Sequence, residues 1–138
     1  MGMIDLKLPL LLSASFIFYN VSAQDSQSVG PSADRGKMVY EQSCLACHQA
    51  DGSGVPFLAP PLIEGIFVEG EKKKLIEIVL KGLEGVEIKG EHYANPMPAF
   101  DYLTDAEIAE VLTYVRSNFK NDADAVTEEE VRSARQKK

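Results

Sequence analysis

Apolar residues recur at helical spacing in three stretches of this chain. The clearest follows Asp105, where Ile108, Val111, Leu112, Val115 and Phe119 form an i, i+3, i+4, i+7, i+11 stripe, one face of an amphipathic helix. Thr104 and Glu107 stand ahead of it at the spacing of a capping box. Leu75, Ile76, Val79 and Leu80 give a second helix within EKKKLIEIVLKG, with Gly82 as its stop. A shorter one is expected over Arg35 to Cys44, with Met38, Val39 and Leu45 as apolar candidates and Met38 assigned to the core. Between this short helix and the EKKKLIEIVLKG one, Gln49 to Pro61 is dense in Gly and Pro and predicts a long loop. A short polar helix is expected from about Thr127 to close the chain, its charged faces solvated. No convincing strand and no internal repeat stands out, so the pattern predicts an all-α domain.

The most continuous apolar run has a different meaning. Leu8 to Tyr19 is almost wholly apolar, Lys7 precedes it, and Val21, Ser22 and Ala23 supply small residues ahead of Gln24. This is the layout of a signal peptide over residues 1–23, cleaved before Gln24. About a dozen apolar residues fall short of the roughly 20 that cross a bilayer, so no stable membrane insertion is expected after cleavage. An exported, periplasmic protein is the expectation. Residues 24–33, rich in Ser, Gly and Pro, then form a flexible lead, 34–121 the domain and 122–138 a charged tail. A formal net charge of −7 without a basic cluster argues against nucleic acid as a partner, because phosphates are neutralised by basic surfaces. At 138 residues a single core is marginal, and something besides side chains is expected to complete it.

The chemistry concentrates in SCLACHQADGSG, which holds both cysteines of the chain, Cys44 and Cys47, followed at once by His48. Export favours a disulfide, but cysteines three positions apart close a tiny loop, with little entropic gain. A thioredoxin-like pair belongs in a βαβ setting, for which there is no pattern. A structural zinc site needs four ligands, and the remaining usual candidate, His92, is distant in sequence. C-x-x-C-H is the attachment signature of haem c: two thiols add to the vinyl groups and the histidine offers its imidazole to the iron. The opposite axial position has Met38, His92 and Met97 as candidates. Met38 lies too near the attachment site, and His92 sits beside Glu91 in a polar stretch. Met97 is bracketed by Pro96 and Pro98, which fix the backbone around a flexible side chain, and is the expected ligand. With both axial positions filled by protein, the expected function is electron carriage without substrate chemistry of its own. Asp51, Glu64 and Asp101 are scattered loop acids that form no catalytic constellation. The alternatives, a peroxidase or a gas- or redox-sensing module, need the Met97 side to open.

Three segments, GKMVYEQSCLACHQADGSG, APPL and MPAFDYLTDAEIAEVLTYVRSNF, resemble the small class I monohaem cytochromes c of bacteria. The resemblance covers roughly Ala33 to Asn121 and is greatest to the domain that serves periplasmic dehydrogenases as accepting partner or fused tail. It implies the cytochrome c fold, several short helices wrapped around one covalently bound haem. In it Cys44 and Cys47 carry the thioethers, His48 is the proximal ligand and Met97 the distal one. It also implies that the Pro60 carbonyl accepts a hydrogen bond from the His48 ring and that Leu62 packs on the haem. Gly36 and Tyr40 then mark the crossing of the first helix with the last, near Tyr114. GEHYANP departs from the pattern, and Tyr93 within it is a candidate partner for a haem propionate. The partners implied are redox proteins: a periplasmic dehydrogenase as donor, an oxidase or another cytochrome as acceptor. Asp51 is the only full charge from Gln42 to Leu62, and Tyr93 to Phe100 holds none. A mostly uncharged docking rim including Val55, Pro56, Phe57, Pro98 and Phe100 is therefore expected.

Overall fold

The computed structural model describes residues 1–2 and 32–136; the expected signal peptide from residue 3, the expected lead up to residue 31 and residues 137–138 lie outside the described residues. The described chain forms helices α1 (Ala33–Ser43), α2 (Leu45–His48), α3 (Lys72–Lys81), α4 (Asp105–Arg116) and α5 (Glu128–Gln136). The predominantly helical architecture matches the pattern, with one addition. Strands β1 (Glu87–Ile88) and β2 (Glu91–His92) pair antiparallel, Glu87 opposite His92 and Ile88 opposite Glu91. Two residues per strand are too few for alternation to register in sequence. The turn between them, Lys89 and Gly90, has positive φ at both positions, the geometry of a tight hairpin, but carries Lys where Asn or Asp would have signalled it.

The capping box forms at the start of α4. The Thr104 hydroxyl accepts from the Glu107 backbone N–H at 3.2 Å, and the Glu107 carboxylate accepts from the Thr104 N–H at 2.8 Å. Ile108, Val111, Leu112 and Val115 are buried as the stripe requires. Phe119 reaches the same core by another route. The helix has ended at Arg116, and a left-handed φ of 55° folds Phe119 back so that its ring lies 5.2 Å from Tyr40 and 5.7 Å from Tyr114.

α1 crosses α4 at Gly36. A Cβ there would stand 2.0 Å from the Glu110 carbonyl oxygen and 2.8 Å from the Tyr114 Cβ, so only glycine permits this approach. Tyr40, one turn on, is 2% exposed and its ring is 5.5 Å from that of Tyr114. The placement of Met38 in the core is corrected: it lies two residues from both Gly36 and Tyr40, hence on the other face of α1, and is 56% exposed.

The closing helix is more than a solvated tail. A second capping box, Thr127 with Glu130, starts it, and Val126 and Val131 are fully buried, with Ala134 close behind. Its polar side is tied to the body by the pairs Lys72–Glu130 at 3.2 Å and Arg135–Asp105 at 2.8 Å. At the end of α4, the buried Arg116 guanidinium donates to the carbonyls of Val68, Gly70 and Asp124. Asn121 donates to the Leu62 and Val115 carbonyls and accepts from the Gly65 N–H. These two side chains pin the irregular 62–70 segment to the helical body, and neither has a periodic signal that sequence reading could use.

Candidate functional site: a chamber behind the CxxCH turn

α2 is a single turn, separated from α1 by a break at Cys44 (φ −116°, ψ −30°). Cys44 and His48, four residues apart, share a face of that turn and both line a chamber inside the molecule. Cys47 is exposed and lines an adjoining lobe. Neither cysteine is in a disulfide. Burial, and secondarily the neighbouring Cys47, pushes the Cys44 thiol up to about 11, so it is protonated at neutral pH.

His48 is 8% exposed and its Nδ1 lies 3.0 Å from the Pro60 carbonyl oxygen, as the resemblance implied. A carbonyl can only accept, so the ring proton sits on Nδ1 and the Nε2 lone pair is left free. Burial lowers the His48 pKa, with the Pro60 bond opposing, and the neutral ring is the form a metal requires.

The chamber has a volume of about 290 Å³, with an adjoining lobe of about 110 Å³. Leu62, Phe67 and Val68 supply apolar wall from the 62–70 segment, and Leu75, Val79, Leu112 and Val115 supply it from α3 and α4. Met97 lines both lobes, together with Cys44, His48, Pro60, Tyr93 and Phe100. His92, by contrast, is exposed on β2.

The limb carrying Met97 is clipped to the end of α3. Leu83 N–H donates to the Met97 carbonyl at 3.0 Å and Met97 N–H to the Leu83 carbonyl at 2.8 Å, while Phe100 N–H donates to Val79 at 2.8 Å. Gly82 makes the clip possible. Its φ of 80° with ψ near 180° is a glycine-only conformation, and a Cβ would stand 2.5 Å from the Met97 carbonyl oxygen. In sequence this glycine read only as a helix stop. The same limb is also tied to the long loop, through Ala94 N–H to Phe57 at 2.9 Å and Asn95 N–H to Leu58 at 3.3 Å.

Tyr93 is buried at the chamber, and its hydroxyl donates to the Glu91 carboxylate at 3.1 Å. The hairpin also brings Lys89 to the chamber wall, a cation that sequence reading did not single out. Phe57 and Leu58 are 66% and 43% exposed on the long loop beside the methionine limb.

The donor set suits one kind of guest. Apolar walls accept a porphyrin face, a neutral imidazole and a thioether suit its iron, and two thiols on one helical turn suit its vinyl groups. Fold and site together define a c-type haem protein. The chain belongs to the cytochrome c family, whose family model matches residues 33–119. It is 40% identical over 114 residues to cytochrome c-552 of Thermus thermophilus, covering 75% of this chain and 86% of that protein. The cytochrome c subunit of gluconate 2-dehydrogenase from Pantoea cypripedii is 35% identical over 90% of this chain, a match that spans 30% of that subunit. A cbb3-type cytochrome c oxidase subunit of Azospirillum brasilense is 33% identical over 72% of this chain and 32% of its own length. The protein is thus a monohaem c-type cytochrome with haem c and iron as its cofactor, and an electron carrier. Among the described residues no helix is long and apolar enough to cross a membrane.

Proposed function

We propose that this cytochrome passes single electrons between exported redox partners, with its haem held through thioethers at Cys44 and Cys47 and its iron between His48 and Met97. Haem c, when bound, supplies an iron that alternates between ferrous and ferric states. The protein's own contributions are distinct. Pro60 fixes the tautomer and orientation of His48, and the Leu83 clip presents the Met97 thioether, a soft ligand that favours the reduced state and a higher potential. Leu62 and the α3 and α4 side chains exclude water. Lys89 and Tyr93, both on the chamber wall, are the residues that would offer charge and a hydrogen bond to the propionates.

The observation that carries this reading is that His48 and Met97 line one apolar chamber with Cys44, the imidazole already holding its proton on Nδ1. Relatives named as dehydrogenase and oxidase subunits support a dehydrogenase as donor and an oxidase or another cytochrome as acceptor. Export to the periplasm follows from the 1–23 segment. The test is substitution of each candidate ligand in the holoprotein. Met97→Ala should lower the potential, abolish the far-red sulfur-to-iron band of the ferric protein and admit external ligands, while His92→Ala changes none of these. Wild type that binds external ligands as readily as Met97→Ala would remove Met97 from the iron and reopen the peroxidase and sensor alternatives.

A further inference from the structure

Downstream of the clip, the limb continues from Phe100 through Leu103 into α4, and one side chain from far along the chain grips it. Arg135 donates from Nη1 to the Asp101 carbonyl, from Nη2 to the Leu103 carbonyl and from Nε to the Asp105 carboxylate, each at 2.8 Å. A single guanidinium therefore fixes alternate positions 101, 103 and 105. Arg135 lies in α5, beyond the residues 33–119 that the cytochrome c family model matches. Nothing about haem attachment requires it.

We infer that Arg135 is a positioning residue for the iron ligand: it anchors the far end of the limb whose near end the Leu83–Met97 clip holds, and so limits how often Met97 leaves the iron. The inference rests on Met97 as ligand. A swing of the limb that carries Phe100 and Asp101 with it strains or breaks the bonds at 101 and 103, so the grip of Arg135 opposes that route for methionine departure. The planar fork is suited to this, since its donors reach separate acceptors from one rigid group, which a lysine cannot reproduce. α5 itself is held by Val131, Ala134 and the Lys72–Glu130 pair, so the anchor is tied to the body and not to a loose tail.

An external ligand reads the ligand-off population directly, because its apparent affinity scales with the fraction of open molecules. The experiment titrates ferric holoprotein with imidazole while following the far-red sulfur-to-iron band, with denaturant unfolding measured in parallel. Arg135→Ala should bind imidazole roughly tenfold more tightly than wild type, and Arg135→Lys should fall between the two. Lys72→Met cuts a different α5 tie without touching the limb, and its imidazole affinity should equal that of wild type even where its unfolding midpoint drops. Arg135→Ala with wild-type affinity, or Lys72→Met matching Arg135→Ala, overturns the inference in favour of general packing of α5. Met97→Ala in the same titration separates the two levels. If it binds no more tightly than wild type, the ligand assignment fails first and the positioning role with it.

Discussion

At the crossing of α1 and α4 all the space is filled by protein. Gly36 lies against the Glu110 backbone, the Tyr40, Tyr114 and Phe119 rings pack as a trio in tilted and edge-to-face contact, and the Tyr40 hydroxyl donates to the Gln49 carbonyl at 2.6 Å. At the chamber much of the wall comes from segments 60–68 and 83–103, irregular apart from the β1–β2 hairpin, whose apolar side chains line a space. The first region is complete when the chain is. The second is half of a core, and in the proposed arrangement the haem would be its other half. The difference locates where the fold depends on its cofactor and where it does not.

The sharpest way to break this contrast is to withhold the haem. Cys44→Ala with Cys47→Ala, or expression without cytochrome c maturation machinery, should abolish cooperative unfolding, because a chain of this size has little other core. Residual amide protection should concentrate at α1 and α4. Uniform protection, or none, would dissolve the distinction. In the matured protein the haem should persist through acid, solvent extraction and denaturing electrophoresis, and an intact mass below apoprotein plus one haem would contradict attachment.

A substitution at the crossing acts without touching the chamber. Gly36→Ala pushes a methyl into the Glu110 carbonyl and should cost about 3 kcal/mol, read from the denaturant midpoint, while leaving the far-red band intact. Loss of that band at temperatures where the helices persist would show the two regions to be one.

On the chamber side, Phe57→Lys places a charge on the exposed loop beside the methionine limb. It should slow electron transfer to the partner more than neutralising acids of the 122–138 tail does, and the wild-type rate should change little between low and moderate salt. A rate that collapses with salt would assign docking to charge steering.

The smallest effect concerns the caps. Hydrogen bonds from the Thr104 backbone and hydroxyl hold the Glu107 carboxyl below its ordinary range. A depressed folded-state pKa stabilises above the unfolded value and loses that contribution as pH falls through the folded one. The stability difference between wild type and Thr104→Ala should therefore be constant near neutrality and shrink in acid.

Periodicity and short motifs made one kind of feature legible. The α4 stripe as far as Val115 with its capping box, the α3 run and C-x-x-C-H each put their whole signal within a dozen residues and appear where expected, whereas Phe119 falls beyond the helix end. Features that join distant segments were not legible. Arg116 and Asn121 each bond carbonyls from separate stretches, and Gly82 is needed because of Met97, fifteen positions later. Met38 misled because an apolar residue on a short helix says nothing of which face meets the body until Gly36 fixes the crossing. The β1–β2 hairpin escaped because its length and its Lys89 turn lie below what pattern can resolve.

The reciprocal bonds between Leu83 and Met97 close a ring in the backbone, with residues 84–96 as its circumference. Whatever enters at Leu83 leaves at Met97 in a fixed place, so a substitution at Lys89 on the hairpin tip changes what the chamber wall offers there without moving the methionine.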